Sequence, residues 1–171
     1  MRLSDAERAT LGEIGHRLRG RRLDAEKLFW LEEPTRHDDY DGMAKLSTEI
    51  KTPIQIGENF SQVTAMAVAL AARASDFVMP DLERIGGVTG WLQAAALASA
   101  HGIEMSSHLF PEISAHLLAV TPTSHFLKYV DWANVILEEP LQVIRGEAIV
   151  PDRPGNGLIW NADAVRHHRL G

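Results

Sequence analysis

The chain has 171 residues, enough for one ordinary domain with a buried core. Its formal charge of −6 at pH 7 argues against nucleic acid or an acidic membrane surface as the main partner. Because the chain has no cysteine, disulfides and thiolate metal sites are excluded, and the composition fits a cytoplasmic protein. The N-terminal sequence lacks the pattern of a signal peptide, and the longest apolar stretch, 65–72, is too short to span a bilayer.

Helical and strand-like segments alternate along most of the chain. Ser4 and Glu7 form a capping box at the start of a helix predicted over 4–20. The hydrophobic periodicity then predicts, in chain order, a strand at 27–33, a helix at 38–50, a strand at 54–59, a helix at 61–74, a strand at 76–81, a helix at 88–102, a strand at 103–108, a helix at 112–120 and a strand at 125–131.

This alternation predicts parallel strands joined by helical crossovers, an α/β fold. Strands that are apolar on both sides are typical of a sheet covered on both faces. After about residue 137 the sequence changes to short β-like pieces with prolines and glycines. We therefore expect one α/β unit over 1–137 and a separate C-terminal segment over 138–171.

Each predicted strand finishes with a polar side chain: Glu32, Glu58, Asp81, His108 and Lys128. Equivalent ends of parallel strands meet at one rim, where such folds build their active sites. Neighbouring carboxylates repel each other unless a cation lies between them, and oxygen-only ligands favour Mg²⁺. Any one of these acids, taken alone, is better interpreted as a helix cap or a solvated surface residue. All five nevertheless occur at the same point of the strand–helix repeat, and this recurrence favours a shared functional rim.

Asp81 and His108 fall on adjacent predicted strands. A carboxylate hydrogen-bonded to an imidazole fixes its tautomer, which suits a general base near neutral pH. The same spacing also fits a merely structural pair, and the residues alone leave both interpretations open. His37, His101 and His125 lie at the margins of predicted elements, where we expect surface residues.

Five motifs resemble the C-terminal part of the mandelate racemase branch of the enolase superfamily: WLEEPT, IGEN, MPDLERIGGVTGW, MSSHLFPEISAHLLA and PDRPGNGLIW. The match runs from about Lys27 to Trp160. The resemblance implies a partial (β/α)₇β barrel of the TIM type, comprising strands four to eight, with a C-terminal tail from the capping domain. It also implies Mg²⁺-assisted abstraction of the proton α to a carboxylate, with a hydroxy acid or acid sugar as substrate.

Carried over by residue, the resemblance makes Glu32 and Glu58 the Mg²⁺ ligands and gives Glu33 no ligand role. His108 becomes the catalytic base and Asp81 its partner. The family normally has a glutamate at the position of Lys128. A lysine there either pairs with the substrate carboxylate, as a catalytic residue, or points to solvent.

The family's other three barrel strands have no counterpart in the motifs found. An open barrel exposes unpaired strand edges, so we expect a homo-oligomer or a complementing chain. Three hypotheses follow for function. The first is a racemase-like enzyme acting on a hydroxy acid, with its activity impaired by the missing strands. The others are an acid-sugar dehydratase and a non-catalytic truncated remnant or split-barrel subunit.

Overall fold

The computed structural model describes residues 23–169. The helix predicted over 4–20 lies outside them. Within the described residues, no helix has both the length and the apolarity needed to cross a bilayer.

The described chain alternates strand and helix as expected, and its main sheet is parallel with strand order β1-β2-β3-β4. The α/β prediction is therefore confirmed, although every strand is shorter than the apolar run that predicted it. The strands are β1 Leu31–Glu32, β2 Ile54–Ile56, β3 Phe77–Val78 and β4 Glu104–Met105, and the helices between and after them are α1 Tyr40–Glu49, α2 Gln62–Ala71, α3 Gly87–His101 and α4 Pro111–Leu118.

The two faces of the sheet differ in chemistry. Parallel register aligns Ile56 with Val78 and Val78 with Met105, all of them buried. The alternate positions align Glu32 with Gln55 and Gln55 with Phe77. Successive side chains point to opposite faces of a strand, so one face is apolar and the other carries polar groups. Gln55 on the polar face is nevertheless fully buried, so this face is covered there as well.

The hydrophobic core joins the apolar sheet face to the helices. Trp91 of α3 is fully buried, and its indole Nε1 donates a hydrogen bond of 3.1 Å to Thr121 Oγ1. Burial of this aromatic ring with its polar atom satisfied stabilises the helix against the sheet. The other large core side chains come from all the layers: Met43, Ile54, Ile56, Phe60, Met66, Ile85 and Met105.

The fifth strand predicted over 125–131 is present only as one parallel bridge, between Met105 and Ser124. The backbone still follows β4 for a short distance, because Ser107 N donates to Phe126 O at 2.9 Å. Beyond that point Lys128 N donates to the side-chain oxygen of Ser107, at 3.1 Å, instead of to a carbonyl. A side-chain acceptor in place of the backbone one ends the regular ladder.

Asp24 connects the turn before β1 to the loop before β2. Its carboxylate accepts hydrogen bonds from the backbone N–H groups of Lys51 and Thr52 and from the Thr52 hydroxyl, at 2.8–3.1 Å. The Thr52 and Lys51 N–H groups hold the pKa of Asp24 below its ordinary value. The contact fixes the approach of the chain to β1, and therefore to Glu32.

The C-terminal segment forms an antiparallel hairpin of β5 Gln142–Ile144 and β6 Glu147–Ile149, followed by helix α5 Ala162–His167. Arg145 and Gly146 both have positive φ at the hairpin turn, as a type I′ turn requires. The short β-like pieces expected after residue 137 are present. The division of the chain at residue 137 stays a prediction.

Gly57 lets the chain turn sharply after β2 and place Glu58. Its φ is +136°, and a Cβ added there would lie 2.8 Å from the Phe60 ring and 3.0 Å from the Met79 backbone. We expect Gly57→Ala to lower the free energy of unfolding by about 2–4 kcal/mol, from backbone strain and overpacking together. Urea denaturation measures the loss.

Gly155→Ala is the matched control, because its φ is +72° and nothing lies within 4 Å of an added Cβ. It should cost only about 1–2 kcal/mol, from backbone strain alone. Equal losses in the two variants would contradict the close packing around Gly57.

Candidate functional site

The carboxyl ends of the parallel strands bring the predicted polar residues together. Glu32 ends β1, Glu58 follows β2, and Asp81 and His108 form a parallel bridge just after β3 and β4. Lys128 reaches the same place from the irregular segment beside β4. We call these five residues the rim cluster.

Asp81 is held by both of its carboxylate oxygens. Oδ1 accepts hydrogen bonds from the backbone N–H groups of Glu83, at 2.9 Å, and Arg84, at 3.1 Å. Oδ2 lies 2.8 Å from His108 Nδ1. Only 5% of the Asp81 side chain is exposed. The backbone therefore fixes the carboxylate, and the carboxylate in turn orients the imidazole.

His108 lies between two carboxylates. Its second ring nitrogen, Nε2, is 3.2 Å from Glu58 Oε2. A neutral imidazole has a single N–H and can donate to only one acceptor, whereas the imidazolium donates from both nitrogens. In this structure each ring nitrogen of His108 lies within hydrogen-bonding distance of a carboxylate oxygen.

Lys128 lies between the two glutamates. Its Nζ is 3.5 Å from Glu32 Oε1 and 3.9 Å from Glu58 Oε2. The sequence left two interpretations, a partner for the substrate carboxylate or a solvent-exposed side chain. In this structure the ammonium group instead contacts the protein's own acids. About a third of each of these three side chains is exposed, so the contacts are open to solvent.

Glu33 supports the loop that carries Glu58. Its Oε2 accepts a hydrogen bond of 2.9 Å from Asn59 Nδ2, and its Oε1 accepts one of 3.4 Å from Gly57 N. The φ of Glu33 is +39°, a conformation that non-glycine residues rarely adopt. In the pair of adjacent glutamates, Glu32 thus points into the rim cluster and Glu33 fastens the neighbouring loop.

Two residues with left-handed backbone follow His108 directly. Leu109 and Phe110 have φ values of +53° and +47°. Ser114 Oγ donates to Leu109 O at 2.9 Å, and Pro111 begins α4 with a ring suited to that position. Strained backbone next to a functional side chain persists when neighbouring contacts hold it. Here it turns the chain from His108 into the helix.

The polar face of the sheet carries a buried polar group that the sequence analysis missed. His125, expected at the surface, has a side chain only 10% exposed, and its ring lies tilted against the Phe77 ring with 4.7 Å between the centroids. Its Nδ1 is 3.2 Å from Ser106 Oγ, which also donates to Gln55 Oε1. His37 and His101 are exposed as expected. Alternation along the predicted strand could have placed His125 on the same face as Ser106. The strand is too irregular for that alternation to be recognised in the sequence.

A cavity of about 230 Å³ opens between the rim cluster and this buried group. Its lining includes Glu32, Gln55, Ser106, Ser107 and Lys128. The rest of the lining is apolar, from Trp30, Met79, Phe126 and Leu127, so the cavity suits a small ligand that has an apolar part beside its polar groups.

The rim cluster offers carboxylate oxygens, the donor type that Mg²⁺ prefers. Within residues 23–169, no three His, Asp or Glu side chains are already arranged around a metal position. Glu32 and Glu58 nevertheless share one cation, the Lys128 ammonium. Mg²⁺ commonly binds one or two protein carboxylates and completes its shell with water and substrate oxygens. The two glutamates therefore fit Mg²⁺ in chemistry and in number.

Comparison with known proteins decides the family. A family model described as enolase C-terminal domain-like matches residues 10–164. The chain belongs to this family. The resemblance to the enolase superfamily is thereby confirmed, and so is the parallel α/β architecture that it implies.

Similar proteins of this family include sugar-acid enzymes. L-Talarate/galactarate dehydratase of Salmonella typhimurium is 33% identical over 151 residues, which cover 88% of this chain and 38% of that protein. D-Xylonate dehydratase of Haloferax volcanii is 30% identical over 157 residues, which cover 86% of this chain and 38% of that protein. The chain therefore spans about two fifths of the length of these curated relatives.

A solved structure extends the likeness to the fold. An enolase from Bradyrhizobium, in complex with magnesium and mandelic acid, superimposes with a TM-score of 0.88 at 46% identity. The match covers 93% of this chain and 44% of that one.

We expect Asp81→Asn to change the tautomer of His108. The asparagine oxygen would keep the N–H bonds from Glu83 and Arg84, so its NH₂ group would face Nδ1 as a donor. The ring proton would then stay on Nε2, which is the wrong nitrogen for a base. Long-range ¹H–¹⁵N NMR should show a proton on Nδ1 in the wild type, and in the variant a proton on Nε2 with none on Nδ1.

The exposed His101 is the internal control and should give the same signals in both proteins. An unchanged His108 spectrum in Asp81→Asn would contradict the orienting role of Asp81.

Proposed function

We propose that this chain carries an active site for Mg²⁺-assisted abstraction of the α-proton of a carboxylate, in an acid-sugar dehydratase. One observation supports this proposal above all others: Asp81, His108 and Glu58 form a continuous row of contacts at 2.8 Å and 3.2 Å, with Glu32 beside it. Such a row combines a base of defined tautomer with a pair of oxygen ligands.

The proton-transfer atom in this proposal is Nε2 of His108. Asp81 holds Nδ1, so Nε2 is the nitrogen that takes a proton once Glu58 no longer engages it. The His108 side chain is 12% exposed, which keeps bulk water from competing for that proton. An α-proton beside a carboxylate is too weakly acidic for imidazole alone.

Glu32 and Glu58 would hold the metal in this proposal. Bound Mg²⁺ supplies electrostatic stabilisation of the negative charge that develops as the α-proton leaves. Lys128 adds a positive charge at the same rim, where it can pair with the substrate carboxylate.

Dehydration can be catalysed by a single base, which is what the rim cluster provides. Of the histidines in residues 23–169, His108 alone contacts the rim carboxylates. In a β-elimination the α-C–H bond breaks and its proton goes to Nε2. The β-C–O bond then breaks, and that same proton leaves with the hydroxyl as water. One base thus serves both steps, and the names of the two curated relatives point to the same reaction class.

A racemase acting on a hydroxy acid is the second candidate. It is favoured by the Bradyrhizobium structure, whose ligand is mandelic acid. Racemisation needs acid–base groups on both faces of the α-carbon, so Lys128 would have to act opposite His108.

Deuterium exchange tests the proposed function. The 171-residue chain, with Mg²⁺ in D₂O, is offered galactarate and mandelate, and NMR follows the α-proton signal and any 2-keto-3-deoxy product. We expect exchange with the wild type and a loss of about 10²–10⁴-fold in His108→Asn, the usual contribution of a general base.

His101→Asn, at an exposed histidine, is the matched control and should keep the wild-type rate. A dehydrated product distinguishes the dehydratase, and inverted mandelate distinguishes the racemase. Exchange that survives in His108→Asn, or that is absent from every protein, would refute the proposal.

A further inference from the structure

The Lys128 ammonium occupies the place between Glu32 and Glu58 that a shared cation would take. Its distances to Glu32 Oε1 and Glu58 Oε2 are 3.5 Å and 3.9 Å. The same Glu58 oxygen also meets His108 Nε2 at 3.2 Å. The side chains of the chain itself thus neutralise the two carboxylates from adjacent strands.

The backbone of Lys128 is anchored, but its side chain can move. Lys128 N donates to Ser107 Oγ, and Ser107 is fully buried, with its own N–H donated to Phe126 O. The lysine side chain is 37% exposed. The flexible four-carbon stem can therefore carry the ammonium away from the glutamates while the backbone stays in place.

An ammonium group and a divalent cation cannot share these oxygens. Both are positive, and each requires close contact with the same two carboxylates. The three side chains are about a third exposed, so water screens their ion pairs, but a Mg²⁺ ion on the same oxygens would lie well within the screening length of the ammonium. Occupancy of the site by Lys128 and occupancy by Mg²⁺ therefore exclude each other.

We propose that Lys128 is an exchangeable counter-ion of the Glu32–Glu58 pair. It neutralises the pair while the metal is absent, and Mg²⁺ displaces it. The displaced ammonium then becomes available to an anionic substrate, a carboxylate in this family of reactions. Metal binding and presentation of the substrate-binding charge are thus coupled through one side chain. This inference rests on the metal site of the proposed function.

Calorimetric titration with Mg²⁺ tests the competition. Lys128→Met keeps the stem and removes the charge, so its Mg²⁺ Kd should fall about tenfold or more below that of the wild type. Lys128→Arg keeps the charge and should stay near the wild type. Lys51→Met, at an exposed lysine, controls for the change in net charge and should also stay near the wild type.

Thermal unfolding gives a second readout. Without Mg²⁺, Lys128→Met should melt below the wild type, because its two glutamates lack a counter-ion. Saturating Mg²⁺ should raise the Tm of Lys128→Met more than that of the wild type, since ligand stabilisation grows with affinity. Chemical acetylation tests the wild-type protein without a variant. Mg²⁺ should increase the extent of acetylation of Lys128, because the displaced amine is more accessible, and leave that of Lys51 unchanged. Mass spectrometry measures both.

The outcomes separate the inference from the proposed function. Mg²⁺ that binds Lys128→Met no more tightly than the wild type, or that fails to increase acetylation of Lys128, overturns the counter-ion inference and leaves the metal site in place. An absence of Mg²⁺ binding in every protein overturns the metal site and the inference together.

Discussion

Two carboxylates at the ends of adjacent parallel strands repel each other unless positive charge lies between them. Glu32 and Glu58 are placed in this way by the pairing of β1 with β2. In this structure the charge comes from the Lys128 ammonium, and the His108 imidazole, which Asp81 holds, contacts Glu58 beside it. The electrostatic requirement of the glutamate pair therefore links four of the residues at the rim, and a divalent cation would meet the same requirement.

The scaffold keeps this cluster in place with contacts that have little to do with the strands, which are only two or three residues long. Gly57 turns the chain after β2, and Glu33 fastens the loop around it. Backbone N–H groups cap Asp81, and the left-handed Leu109 and Phe110 follow His108. Short strands set the direction of each side chain, and the turns after them set its final position.

The sequence predicted the parts that depend on the order of elements along the chain. Glu32, Glu58, Asp81 and His108 each follow a strand of one parallel sheet, so strand phase was sufficient to bring them together. The partner of Lys128 was not predictable in this way, because it depends on how far the sheet curves towards β1. His125 was misplaced for a different reason: the segment that contains it pairs with β4 only as far as Phe126, and so short a strand gives too little alternation to indicate which face His125 occupies. Family resemblance supplied roles for the matched residues, but it could not supply one for a lysine where the family has a glutamate.

Mn²⁺-induced broadening of backbone amide signals most directly tests the claim that Glu32 and Glu58 bind one divalent cation. Mn²⁺ prefers the same oxygen ligands as Mg²⁺ and broadens the NMR signals of nearby nuclei. The account predicts that the amides of Glu32, Glu58 and His108 broaden first, that those of Arg73 and His101 at the opposite end of the strands stay sharp, and that Glu58→Gln abolishes the pattern. Broadening centred elsewhere, or a pattern that persists in Glu58→Gln, would contradict it.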